Sequence, residues 1–235
     1  MATFVLVHGM WHGGWCWQKL RPLLEAAGHK VYTPTLTGLG ERAHLNMAQI
    51  DFDIHVQDVL NVLKYEDLND VLLCGHSYGA GIVLAVAAQA RERLMHLISV
   101  DGLMPSNGHS YQEAYPRFYE RLRDLALGSG NKWWVPVPPD WTFGITKAYD
   151  LAWVESKLTP FPIHALETPV TFQLPAESTL LHTFITCTLG QTEENLAEEK
   201  KALIKQGWYY RTLHTGHDAM ITQPQKLADL LLELA

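Results

Sequence analysis

Three separated stretches of the chain carry the residue types that acyl transfer requires. Gly75-His76-Ser77-Tyr78-Gly79 is a Gly-x-Ser-x-Gly pentapeptide, preceded by the apolar run Leu72-Leu73-Cys74 and followed by Ala80-Gly81. A serine in a strained turn between a strand and a helix needs neighbours without bulk two residues to either side. Gly75 and Gly79 supply them, so the Ser77 hydroxyl is expected to stand exposed as a nucleophile, with the Tyr78 N–H free to meet an oxyanion. The competing reading, a glycine-containing turn with a solvated serine, is disfavoured by the strand pattern over 70–74 and the helix pattern over 80–90. A second oxyanion donor is expected from the Met10 N–H in His8-Gly9-Met10-Trp11-His12-Gly13-Gly14-Trp15, a stretch otherwise read as a glycine-rich turn closed by tryptophans.

A serine hydroxyl is a weak nucleophile near neutral pH and needs a base, normally a histidine oriented by a carboxylate. Of the twelve histidines, His217 in His214-Thr215-Gly216-His217-Asp218 falls after the last expected strand and before the last expected helix. That is where the base belongs when the chain order is nucleophile, acid, base. His214, still leaving the strand, is the weaker choice, and His8, His12 and His76 read as structural histidines or pocket walls. For the acid, Asp101 ends a strand after the elbow helix and is followed by Gly102, although a turn-capping aspartate would look the same. Glu193 and Glu194 follow the next strand, but acids just after an N-cap such as Thr192 also serve a helix dipole. Asp218, adjacent to the base in sequence, is expected to point away from it.

The elements that position these residues alternate. Strands are expected at 3–7, 30–34, 70–74, 96–100, 183–189 and 208–213, and helices at 15–27, 51–65, 80–90, 192–206 and 224–234. Pro22 would kink the first helix or mark its first turn, and 36–46 reads as a loop with Gly38 and Gly40. Strand-helix-strand units of this kind imply an α/β domain with a doubly wound, mostly parallel sheet and right-handed crossovers. The alternation breaks over 105–181, which is rich in proline and carries Trp133, Trp134, Trp141 and Trp153. The core is therefore assigned to 1–104 and 182–235, and 105–181 to an inserted lid; a second small core packed on the first is the other reading.

The chain has 235 residues, 47% hydrophobic and 18% charged, with a formal charge of −7. No run of Lys or Arg stands out, so nucleic acid and anionic membranes are not expected as partners. Cys16, Cys74 and Cys187 are few, odd in number and far apart, which suits buried thiols in a reducing compartment. No signal segment or membrane span is legible, and a cytoplasmic location is expected. No cofactor is implied. A metal is not suggested either, because His8 and His12 lie in a glycine-rich loop rather than on a helix and no cysteines are paired. A homodimer is left open as an assembly.

Val5-Leu6-Val7-His8-Gly9 with His12-Gly13-Gly14-Trp15, the stretch from Leu20-Arg21-Pro22 to Gly28-His29, the elbow, and Gly216-His217-Asp218 together resemble the α/β-hydrolase branch that contains plant methylesterases and hydroxynitrile lyases. They are also similar to short bacterial esterases described as pyrethroid or carbamate hydrolases. The resemblance covers both ends of the chain and little of the 105–181 segment. It implies an α/β-hydrolase fold and serine-hydrolase chemistry. In the plant branch the acid follows the strand corresponding to 183–189, where this chain has Cys187-Thr188-Leu189-Gly190 and no carboxylate. Here the strand end Val100-Asp101-Gly102-Leu103-Met104-Pro105 carries an aspartate instead, so Asp101 is chosen over Glu193. Lyases of the group place a threonine where Gly9 stands and a lysine after the base, where this chain has Asp218. The expected activity is therefore hydrolysis of a carboxylic ester of a hydrophobic or aromatic small molecule by Ser77, His217 and Asp101, with Met10 and Tyr78 as oxyanion donors. An amide, carbamate or lactone hydrolase, a lyase, and a non-catalytic binder are the alternatives in decreasing order.

Overall fold

A computed structural model of the chain describes residues 1–45, 48–172 and 180–235. Its strands are β1 (Thr3–Val7), β2 (Lys30–Tyr32), β3 (Val71–His76), β4 (Leu94–Val100), β5 (Trp134–Val135), β6 (Phe161–Pro162), β7 (Leu181–Cys187) and β8 (Tyr209–Leu213). Six of them form one sheet in the order β2-β1-β3-β4-β7-β8, with every pairing parallel. Central parallel strands are covered on both faces and need continuous apolar runs; all six residues of β3 are buried, whereas the edge strand β8 is largely exposed. The chain leaves β1 toward β2 on one side and returns to β3 on the other. That reversal opens a crevice at the carboxyl ends of β1 and β3, the place where open α/β sheets bind ligands.

The helices are α1 (Arg21–Ala26), α2 (Phe52–Tyr65), α3 (Gly79–Gln89), α4 (Tyr111–Ala114), α5 (Pro116–Gly128), α6 (Ala148–Glu155), α7 (Glu193–Lys205), α8 (Ala219–Thr222) and α9 (Pro224–Leu232). Asp51 caps α2 by accepting from the Ile54 N–H at 2.9 Å, and the helix turns Phe52, Val56, Val59 and Leu63 inward. The single helix expected over 15–27 is instead a short turn of 3-10 helix, Gly14–Trp17, followed by α1. Pro22 sits in the first turn of α1, where a missing N–H costs nothing. The 36–46 loop also contains a 3-10 turn, Gly40–Leu45; its last residue, Asn46, lies outside the described residues.

Between β4 and β7 the chain forms α4, α5, β5, α6 and β6, with β5 and β6 paired antiparallel. Leu181, assigned to the insertion from sequence, begins β7, and 173–179 lie outside the described residues. Val135, Val154, Phe161, Ile163 and Val170 belong to the same hydrophobic cluster as the sheet, so the insertion shares the main core. Trp11 is the hinge pin of that contact: its indole N–H donates to the Val135 carbonyl at 3.1 Å, and its ring meets Trp141 edge-on at 5.2 Å. The three cysteines are free and buried. Among the described residues no helix is long and apolar enough to cross a membrane.

Candidate active site

Ser77 lies between β3 and α3 with φ +53°, a left-handed conformation that strains any residue with a β-carbon. Backbone bonds hold it there. Its N–H donates to Val100 at 3.1 Å, and its carbonyl accepts from Ala80 at 3.0 Å and Leu103 at 3.1 Å. The flanking glycines are required by contact: a β-carbon at position 75 would fall 2.3 Å from the Gly79 carbonyl oxygen, and one at position 79 would fall 2.7 Å from the Val7 and His8 oxygens.

Asp101 leaves β4 with φ +48° and is bound on three sides. Its N–H donates to Ile185 at 2.8 Å, its Oδ1 accepts from the Cys187 N–H at 3.0 Å, and its Oδ2 lies 2.5 Å from His217 Nδ1. With Nδ1–H given to Asp101, the other imidazole nitrogen is left to accept a proton. Burial alone would make His217 less basic. The hydrogen bond it donates to Asp101 and the negative charges of Asp101 and Asp218 outweigh it, so its pKa stands above the ordinary histidine value. Of the other sequence candidates, Glu193 is exposed in the first turn of α7, and His214 is exposed and bonded to Thr188 Oγ1 at 3.1 Å. Neither faces Ser77's cavity.

Beneath His217 is a second histidine–aspartate pair that the sequence reading did not anticipate. His12 Nε2 lies 3.0 Å from Asp218 Oδ2, and His12 Nδ1 lies 2.7 Å from the Met10 carbonyl. Both nitrogens face acceptors, so the buried ring ties the Asp218 carboxylate to the Met10 carbonyl. Burial would raise the Asp218 pKa, but the histidines around it, His12 first, hold the carboxyl below the usual range. The expectation that Asp218 turns away from the base holds only for its hydrogen bond, which goes to His12; an Asp218 oxygen and a His217 ring nitrogen still lie within 4.8 Å of one another. His8 is structural: Nδ1–H donates to Gly9 at 2.8 Å, Nε2 accepts from Leu36 at 3.1 Å, and burial lowers its pKa to about 3. His76 is likewise neutral, its pKa lowered by burial to about 3, and its Nε2–H donates to the His217 carbonyl at 3.0 Å. His76, His217 and Asp218 bring potential metal-ligating atoms within 4.8 Å of one another, yet each already commits an atom to a protein partner.

Ser77 and His217 open onto one cavity of about 550 Å³. Gly9 and Met10 form part of its wall, and Phe118, Trp141 and Phe143 of the insertion form the facing part. Among the described residues neither the Met10 nor the Tyr78 N–H has an internal acceptor. The Tyr78 side chain is fixed elsewhere: its hydroxyl meets His55 Nδ1 at 2.9 Å, while its carbonyl accepts from the Tyr111 hydroxyl at 2.9 Å.

The fold recurs in known proteins. The alpha/beta hydrolase family model matches residues 4–230. The chain is 31% identical over 243 residues to the carbendazim hydrolyzing esterase of Nocardioides sp. (strain SG-4G), covering all of both chains. It is 38% identical over 110 residues to methylesterase 1 of Arabidopsis thaliana, which covers 46% of this chain and 41% of that relative. Among solved structures, an extracellular alpha/beta-hydrolase from a Paenibacillus species superposes with a TM-score of 0.80 at 22% identity, over 100% of this chain and 99% of the other. Relatives of both kinds that the motifs resemble, bacterial esterase and plant methylesterase, are therefore found, and the protein belongs to the alpha/beta hydrolase family.

Proposed function

We propose that the protein is a serine esterase that cleaves a carboxylic ester of a hydrophobic, aromatic small molecule through an acyl-enzyme. The observation that carries this reading is the Asp101–His217 contact at 2.5 Å on the same cavity as Ser77. Ser77 attacks the ester carbonyl as His217 takes its proton, and Asp101 holds the imidazole in the tautomer that can accept it. The Met10 and Tyr78 N–H groups stabilise the tetrahedral oxyanion, where loss of one donor typically costs roughly 3 kcal/mol of barrier. His217 then protonates the departing alkoxide and activates a water that releases the acid. The aromatic wall of Phe118, Trp141 and Phe143 supports the substrate class.

Two contacts weigh against lyase chemistry. A β-carbon at Gly9 would lie 2.9 Å from Ser77 Cβ and 3.1 Å from His76 Nδ1, which leaves no room for the lyases' threonine. Asp218, at the lyases' lysine position, is sealed against His12 rather than offered to a ligand. The test is Ser77→Ala assayed on p-nitrophenyl butyrate: turnover should vanish in a protein that still folds, and retained turnover would overturn the proposal.

A further inference from the structure

The cavity wall carries one charge that the proposed chemistry does not use. Glu199, on α7, accepts at Oε2 from Thr186 Oγ1 of β7 at 2.6 Å and from the Tyr210 hydroxyl of β8 at 3.1 Å. Its other oxygen takes no hydrogen bond, and no Lys or Arg pairs with it, among the described residues. The two other carboxylates on this cavity are compensated. Asp101 is bound to His217 and the Cys187 N–H, and Asp140 is held by Arg121 at 2.6 and 2.8 Å. No Lys or Arg lines the cavity, and residues 46, 47 and 173–179, outside the described set, include none.

Glu199 also stands at a boundary. With Gly102 and Phe184 it is shared between the main cavity and a smaller pocket of about 260 Å³, walled by Met104, Tyr115 and Trp208. A ligand long enough to reach from Ser77 toward that pocket passes a fixed, uncompensated carboxylate set in aromatic surroundings. Attraction for a cation and repulsion of an anion act there without an offsetting Lys or Arg on the cavity wall, damped by the partial exposure of the carboxylate.

We infer that Glu199 is a specificity-determining residue of this cavity, selecting ester substrates whose far end carries a protonated amine and rejecting those whose far end carries a carboxylate. The chemistry in this statement rests on the esterase reading, whereas the selection by charge does not. A purely structural role, tying α7 to β7 and β8, is the competing account. Glu199→Gln separates the two, since the amide oxygen still accepts from Thr186 and Tyr210 while the charge is gone.

Three methyl esters of similar size serve as probes: methyl 4-(aminomethyl)benzoate, methyl 4-ethylbenzoate and monomethyl terephthalate, with a cationic, neutral and anionic end. Their dissociation constants are measured calorimetrically in a Ser77→Ala background, with and without Glu199→Gln and Glu199→Lys, and kcat/KM is measured with Ser77 intact. The expected order is cation tightest and anion weakest, with a cation-to-anion ratio on the order of tenfold or more that collapses in Glu199→Gln and inverts in Glu199→Lys. A ratio unchanged within roughly twofold in folded Glu199→Gln protein, or no binding of any probe, overturns the inference. Binding that follows the charge without turnover of any ester upholds Glu199 and removes the esterase reading; turnover with no charge preference does the reverse.

Discussion

The Cys187 N–H donates to Asp101 Oδ1 across 3.0 Å, so the end of β7 orients a carboxylate that comes from the end of β4. The second oxygen is thereby aimed at His217 Nδ1. Asp101→Asn should lower kcat/KM on a p-nitrophenyl ester by about 10⁴-fold, as expected when the orienting acid is replaced and the wrong tautomer is favoured. Glu193→Gln, on an exposed helix turn, should leave it within about twofold. Equal losses in the two variants would remove Asp101 from the mechanism.

Because His217 must be neutral to accept the Ser77 proton, kcat/KM should rise with pH and level off above the His217 pKa. Asp101 and Asp218 favour the imidazolium and raise that pKa despite burial. The half-maximal point of the acid limb should therefore lie above the ordinary histidine value of 6.5. A pH profile of kcat/KM centred at or below that value would contradict the arrangement.

The His12–Asp218 pair is 1% and 0% exposed, so replacing the carboxylate breaks a buried, charge-assisted hydrogen bond. Asp218→Asn should destabilise the fold by about 1 to 3 kcal/mol, read from urea midpoints at neutral pH. The folded-state pKa of Asp218 is depressed. Its contribution is therefore present above the unfolded carboxylate pKa of about 3.9 and is lost as pH falls through the lower folded value, so the gap to the variant should close in acid. A constant gap from neutral to acid pH would contradict this role for the Asp218 carboxylate.

Gly9→Thr brings a β-carbon within 2.9 Å of Ser77 Cβ and must displace the nucleophile or the Gly9 loop. Displacements on the order of 1 Å cost roughly 100-fold in rate, so kcat/KM should fall by about that factor. Thermal unfolding should show a smaller effect, since the loop lies at the cavity rather than within the sheet. An unimpaired Gly9→Thr enzyme would show that the elbow and this loop are not in fixed contact.

The parts of the site that were legible from sequence are those set by local rules. The elbow announces itself because a positive φ at Ser77 and contacts under 3 Å at Gly75 and Gly79 tolerate few other residues. His217 follows from its place in the strand-helix order, and Asp101 from its place at a strand end, preferred over Glu193 because the resembled branch's acid position at 187–190 holds no carboxylate here. The break between the Gly14–Trp17 turn and α1 was signalled by Pro22 alone, since Leu20, Leu23 and Leu24 keep helical spacing. The His12–Asp218 pair was not legible, since its members are 206 residues apart and meet only when the sheet brings the two loops together. The one local signal was an acidic residue directly after the base in an otherwise apolar stretch, Asp218 before Ala219-Met220-Ile221. Glu199 gave no signal at all: in a helix carrying Glu193, Glu194 and Glu198 it looks like any solvated acid.

The central claim, that Ser77 is a nucleophile activated by His217, is tested most directly by covalent labelling with a fluorophosphonate, followed by mass spectrometry of the modified peptide. The account predicts stoichiometric modification at Ser77, abolished in Ser77→Ala and strongly slowed in His217→Ala. Failure of Ser77 to react in folded protein, or labelling that is indifferent to His217, would contradict it.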